Sequence, residues 1–394
     1  MARWQLFFTF PNLVPPIPSP FEADGLYLCS ADDARLRKLA ANPGNRTGRR
    51  ILRRFSTTFG TRYRPGCLVV QDDASDAVKQ VEAIRSFRNV CALATTTRSW
   101  ALSIRHPYGA AAQMSVRWSD HFFFGYHAPG HSGALGTLNG PTRGMDDRIE
   151  RFRAQSTPYI GLPNHFGVYV DEQLLKRLFM AWHAYHISRR KRSLFRRLFR
   201  SLEVAFHASL FPADGFPSVN DVGTRIGLWI SAFEILFHPG RDQQVNKRVV
   251  QMALQQIPFL KPALRSLRYT VWDRRVRHQA TLAEALYDDL YRARNRFFHG
   301  EAVTASDLHY RRSTNYLNLI DIAPVLYNGA LLSFLRNRIR GGPETAAAIA
   351  AGKDIAGAMK RYIEATRGVS EIEDALLAAR YRLNEHGHPD VPRR

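Results

Sequence analysis

The chain has 394 residues, 45% hydrophobic and 23% charged, which is enough apolar material for two or three compact cores and too much for a disordered chain. Its 56 Lys and Arg outnumber 34 Asp and Glu, for a formal charge of +22, so the composition favours a polyanion or an anionic lipid surface as partner. Three cysteines, Cys29, Cys67 and Cys91, lie far apart without CxxC spacing, which argues against a disulfide framework and against a zinc ribbon.

Residues 3–10 place Trp4, Leu6, Phe8 and Phe10 on one face at period two, the pattern of a half-buried strand. Strand-like runs recur at 24–30, 66–71, 91–96 and 99–105. Between them, 75–89 spaces Val78, Val81, Ile84 and Phe87 near the helical period, which predicts a helix packed on a small sheet. The Pro-rich stretch 11–20 and the Gly, His and Pro-rich stretch 125–145 predict loops. The short apolar start runs into Pro11, Pro15 and Pro16 without a small-residue cleavage site, and no apolar run reaches spanning length. The expectation is a cytoplasmic protein with no stable membrane insertion.

After Asp171 the texture changes to long segments of helical periodicity separated by Pro and Gly. Helices are expected at 172–187, 189–208, 221–237, 244–258, 281–298, 307–338, 344–366 and 370–385, with Asn220-Asp221 capping the third and His238-Pro239-Gly240 stopping it. The fold class is α+β: a mixed α/β domain over 1–171, an all-helical domain over 172–340, and a short helical C-terminal extension over 341–394. There is no internal repeat, which argues against a solenoid.

The most informative segment is 281–301. Leu282, Leu286, Leu290, Ala293 and Phe297 form one apolar stripe, and Gly300 suits the left-handed conformation that ends helices. Arg294 and His299 therefore fall in the last turns of one buried helix. Five residues apart, they point about 140° away from each other around an ideal helix, so they converge only if the end unwinds or a second copy supplies its own pair. The run Arg294-Asn295-Arg296-Phe297-Phe298-His299, followed by Gly300, resembles the motif of the HEPN family of RNA-targeting helical domains. The helix Arg225 to Phe237, apolar around the single Glu234, is similar to the one that precedes the motif in the Apea-like branch of that family. The resemblance covers about 220–340.

It implies a metal-independent ribonuclease that works as a homodimer on RNA, with no cofactor; other members have lost activity, and such proteins often serve as toxins or antiviral defence effectors. On that reading His299 is the general acid or base, Arg294 holds the scissile phosphate, Asn295 orients substrate or His299, and Glu234 supports them. The chemistry is sound: an imidazole can take the 2′-hydroxyl proton or protonate the leaving 5′-oxygen, and a guanidinium can bind the phosphorane bidentately. The bare spacing is common in so Arg-rich a chain, fitting also Arg177/His183, Arg200/His207, Arg380/His386 and Arg382/His388. Asn295, Gly300 and the apolar helix set the 294–299 match apart. A structural reading stands beside it: Arg294 and Asn295 pairing with acids such as Asp288 or Glu301, and His299 closing the helix on a carbonyl, in a non-catalytic RNA-binding or dimerising scaffold.

A second signal is the run 189–200. Leu194, Phe195, Leu198 and Phe199 form a narrow apolar stripe, and the rest of the face carries Arg189, Arg190, Lys191, Arg192, Arg196, Arg197 and Arg200. Such a helix can track RNA phosphates, lie on an anionic membrane, or be a solvated face. Gly130-His131-Ser132-Gly133-Ala134 lacks the second Gly of a nucleophile elbow. His121, His127 and His131 lack metal-site spacing, and His183 and His186 read as ordinary residues of an aromatic helix, so no metal is expected.

Overall fold

The structure, a computed structural model, describes residues 4–10, 22–23, 25–29, 33–34, 52–53, 55–56, 62, 66–71, 77, 80–105, 125–127, 135–137, 152–153, 171–187, 193–209, 218–240, 245–257, 259, 261–266, 268–273, 276–308, 318–338 and 373–377. Helix predominates and the sheets are small, an α+β composition. The chain divides into two units, residues 1–99 with 113–191 and residues 100–112 with 192–394.

In the first unit, period-two segments assemble an antiparallel sheet. Its strands are β1 (Trp4–Phe10), β2 (Glu22–Ala23), β3 (Leu26–Cys29), β5 (Gly66–Gln71), β6 (Gly125–His127) and β7 (Leu135–Thr137), in the order β2-β3-β5-β1-β6-β7. A separate pair, β4 (Phe55–Ser56) and β8 (Phe152–Arg153), runs parallel. Leu28, Cys29, Cys67 and Val69 are wholly buried, and the three cysteines are free thiols. Burial pushes the Cys67 thiol up, with the neighbouring Cys29 adding to it. The stretch 125–145, expected as loop, contributes β6 and β7, which pair with each other through Tyr126 and Gly136.

The largest departure lies at 81–105. In place of a helix ending at 89 and strands at 91–96 and 99–105, one helix, α1 (Val81–Arg105), runs through. Every residue from Ser86 to Ala94 is buried, so this part of the helix is enclosed on all sides and shows no amphipathic period in a short window. The threonines at 95–97 add a β-like composition that tertiary packing overrides. Helix α2 (Glu172–His186), capped by Asp171, belongs to the first unit together with residues 81–99 of α1. Trp182 Nε1 donates to the Ala83 carbonyl at 2.9 Å, and Phe87 meets Phe179 and Trp182 edge-on at 5.9 and 5.2 Å. The division between the units thus follows α2, whereas the change of sequence texture precedes it.

The second unit contains α3 (Ser193–Ser209), α4 (Val219–Phe237), α5 (Lys247–Gln255), α6 (Pro262–Ser266), α7 (Leu282–Phe298) and α8 (Leu319–Arg338). The α3 stripe turns inward as its pattern dictates: Phe195, Leu198, Phe199 and Leu202 are buried. Ser201 Oγ donates to the Ala232 carbonyl at 2.7 Å and lies 2.6 Å from the Tyr327 hydroxyl, tying α3 to α4 and α8. Tyr327 meets Trp229 at a tilt and Phe233 edge-on, and Phe233 meets Tyr287 edge-on, each pair with ring centres 5.4 Å apart. Truncating such a ring to Ala costs about 3–5 kcal/mol. The cap of α4 is Ser218, in a reciprocal box with Asp221, two residues ahead of the expected Asn220.

The unit is not purely helical. Strands β9 (Tyr269–Asp273) and β10 (Val276–Ala280) form an antiparallel ribbon in which Val271 and Ala280 are buried against Ala285 of α7. Its signal, the period-two run Tyr269-Thr270-Val271-Trp272, is short and flanked by basic residues, so helical neighbours mask it. Of the expected helix 307–338, residues 305–308 form a 3-10 turn and 319–338 the helix. The expected helix at 344–366 lies outside the described residues. From 370–385, residues 373–377 are described and helical, with Glu373 accepting the Lys261 amide at 2.8 Å and Asp374 paired with the Lys261 ammonium.

Candidate functional site

Helix α7 starts on a reciprocal box: Thr281 Oγ1 accepts from the Glu284 amide at 3.3 Å and Glu284 Oε2 from the Thr281 amide at 2.8 Å. Leu282, Leu286, Leu290 and Ala293 are buried as the stripe requires. The far end closes by backbone alone. Gly300 adopts φ 75°, its amide donates to the Phe297 carbonyl at 3.3 Å, and the Glu301 amide donates to the Arg296 carbonyl at 3.0 Å, a Schellman closure. His299 is the C-cap; its amide donates to the Asn295 carbonyl at 2.9 Å and its side chain is exposed. Among the described residues its imidazole has no hydrogen-bond partner, so the ring does not close the helix.

Arg294 Nη1 donates to Asn295 Oδ1 at 2.9 Å, and its guanidinium lies 5.8 Å from the Tyr291 ring and 5.7 Å from the Phe298 ring. These contacts hold the fork without a carboxylate. The acids that Arg294 and Asn295 were expected to engage are used elsewhere. Asp288 is bound by Lys247 at 2.9 Å and Arg292 at 2.8 Å, and Glu301 accepts from Arg296 Nε at 3.1 Å. Arg296 also pairs with Asp307 and donates to the Ala302 carbonyl at 3.1 Å, so it pins the segment after the helix.

Glu234, on α4, is half-buried, and that burial holds its carboxyl above the usual carboxylate range while the Arg294 charge pulls it partly back. Tyr287 is wholly buried in the same neighbourhood; burial, then the charge of Glu234, pushes its hydroxyl up. Glu234, Tyr287, Tyr291 and Arg294 are thus brought into one electrostatic group. No hydrogen bond joins Arg294 to His299, whose positions lie about 140° apart around the helix.

Two residues that the motif reading left unassigned decide how α7 meets α4. A Cβ on Gly223 would sit 2.4 Å from the Phe297 ring, and one on Gly227 2.4 Å from the Phe298 ring. The two glycines, four apart on α4, form a notch that receives both motif phenylalanines; their spacing was the only available signal.

Of the basic run, Arg189, Arg190, Lys191 and Arg192 lie outside the described residues. On α3, Arg196 and Arg200 are exposed and Arg197 is half-buried. His207 pairs with Glu203 at 3.6 Å. His186 rests 5.6 Å from the Trp182 ring and 4.7 Å from the Tyr185 ring, and burial lowers its pKa to about 4. Among the described residues no group of three His, Cys, Asp or Glu is placed to hold a metal ion; His121 and His131 lie outside them. No described helix is long and apolar enough to cross a membrane. Comparison of the chain with protein-family models, with curated proteins and with solved structures finds no significant match.

Proposed function

We propose that the second unit contains a HEPN-like domain, spanning about 220–340, that cleaves RNA without a metal at the Arg294-Asn295-x3-His299 motif. The observation that supports this most is selective availability. Arg296, two residues on, has its charge committed to Glu301 and Asp307, whereas Arg294 contacts an amide oxygen and two rings and, among the described residues, has no acid at ion-pair distance, Glu234 acting on it only through its charge. Beyond it the Schellman closure leaves the His299 imidazole exposed and unpartnered among the described residues.

In the proposed reaction the ribose 2′-oxygen attacks the adjacent phosphorus while its proton passes to a base, and the P–O5′ bond breaks as the 5′-oxygen receives a proton. The products are a 2′,3′-cyclic phosphate and a 5′-hydroxyl. His299 performs one of the two proton transfers and Arg294 binds the charge that builds on the phosphorane oxygens. Asn295 orients Arg294, and Glu234 and Tyr287 set the field behind it. Since Arg294 and His299 of one chain diverge, the reading calls for a homodimer in which each pair completes the other. Phe298, 58% exposed between them, is the apolar surface that favours such association.

Incubating the pure protein with RNA in EDTA tests the proposal. Cleavage products ending in 2′,3′-cyclic phosphate are expected, and a 2′-deoxy substitution at the scissile nucleotide should abolish them. Absence of cleavage together with retained RNA binding would favour the non-catalytic scaffold.

A further inference from the structure

Among the acids buried on α7, Asp288 is 0% and Glu284 1% exposed. Each meets cations from the outside. Asp288 holds Lys247 and Arg292, and Arg248 approaches Glu284 at 3.9 Å. Solvent therefore meets the cations and not the acids, because the Arg248 and Arg292 side chains are each 46% exposed. His278 of β10 adds its ring, 3.4 Å from Arg248 Nη1. A carboxylate that takes one edge of a guanidinium fixes its direction and leaves further N–H donors facing out, the arrangement that suits a phosphate oxygen.

The row has a direction. At about 100° per residue, Asp288 and Arg292 fall about 20° to either side of His299 around the α7 axis, so they share its face. At 1.5 Å per residue, Glu284 and His299 are about 22 Å apart along that face. At roughly 3.4 Å per stacked nucleotide, this length accommodates about six phosphates.

We propose that Arg248, His278 and Arg292 form a phosphate track that carries single-stranded RNA along α7, from the β9–β10 ribbon to His299. The inference rests on the reading of His299 as the residue at the cleaved bond, and it adds the surface that holds the rest of the strand. Single-stranded RNA fits because Arg248 of α5 and His278 of β10, beside Glu284, and Arg292 of α7 follow one another along the length of α7, as a linear polyanion requires, and because Arg292 shares the face of His299.

The track is tested by fluorescence anisotropy of the full chain on a fully 2′-O-methylated uridine oligonucleotide of about twelve nucleotides, which binds but has no hydroxyl to attack. Arg248→Ala and Arg292→Ala should each weaken binding several-fold and reduce the slope of log affinity against log salt by about 0.7, one counterion contact on a single strand. Arg277→Ala serves as control. It removes the same charge from the opposite face of the ribbon, where Arg277 is exposed and bonds Thr270 Oγ1 at 3.4 Å. That variant should bind as wild type. Because Asp288 loses one partner in Arg292→Ala, melting temperatures are measured alongside, and Arg248→Ala carries the test if Arg292→Ala fails to fold.

Wild-type slopes in both track variants, or an equal loss in Arg277→Ala, would overturn the proposal. So would a loss of binding to phosphatidylserine vesicles with RNA affinity kept, which would assign the row to a membrane surface. Slope changes as expected in a protein that cleaves no RNA would keep the track and reject the role of His299. Cleavage by wild type with unchanged RNA binding in both track variants would do the reverse.

Discussion

Gly223 of α4 and Phe297 of α7 touch so closely that a methyl group on the glycine would overlap the ring at three atoms, Cγ, Cδ2 and Cε2, all within 2.6 Å. Four residues along, Gly227 meets Phe298 at the far end of its ring, Cε2 and Cζ. The difference decides two substitutions. Gly223→Ala gains helix propensity but forces the ring root aside, so a net loss of about 1–3 kcal/mol is expected, along with weaker RNA cleavage as the motif shifts. Gly227→Ala meets an exposed ring tip that can swing away, and should lie between neutral and a gain of about 1 kcal/mol. Chemical denaturation of both variants checks the pair; equal destabilisation would show that the notch does not work as described.

His299 and Arg294 bear on chemistry more than on stability. Because the helix end is closed by backbone hydrogen bonds, His299→Ala should change the melting temperature little while lowering cleavage by ~10²-fold or more. Arg294→Ala and Arg294→Lys should fall similarly, since a point charge does not reproduce the planar fork. Full cleavage by His299→Ala would remove the catalytic assignment.

Arg296 should behave in the opposite sense. Its side chain joins Glu301, Asp307 and the Ala302 carbonyl across the segment that follows the motif. Arg296→Ala is expected to lower stability only slightly, because the network is solvated, and to speed amide exchange over 301–308. Unchanged exchange in that segment would show that the network does not hold it.

Glu234 gives a pH signature. Its carboxyl titrates higher in the fold than in the unfolded chain, so the folded state favours the protonated form. The stability this group contributes is full below the ordinary carboxylate range and is lost as pH rises through the raised value. Glu234→Gln, neutral throughout, should therefore melt higher relative to wild type near neutral pH than in acid. A difference in melting temperature that does not vary with pH would show that Glu234 ionises as it does in the open chain.

The helices of the second unit were legible wherever one face is apolar and caps punctuate the ends. The 282–298 stripe, its closing Gly300 and the 193–209 stripe follow from residue order alone, as do the strands at 4–10 and 66–71, because local period sets which face can be buried. The candidate residues Arg294, Asn295, His299 and Glu234 came from the resemblance to the HEPN motif and its preceding helix, because the bare Arg-to-His spacing recurs elsewhere in this chain. What the sequence left open is where contacts between distant residues decide. The enclosed stretch 86–94 loses its period because it is buried all round, and the 269–280 ribbon is too short to outweigh its helical neighbours. The pairing of Asp288 with Lys247 and Arg292, and of Glu301 with Arg296, left Arg294 without an ion pair among the described residues, with Glu234 acting on it only through its charge; that allocation depends on which cations α5 and the turn after α7 bring within reach. Local pattern fixes what a segment can bury, but a charge finds its partner only after packing has set distances, and so the tertiary structure alone determined how the cations of the described residues share their acids.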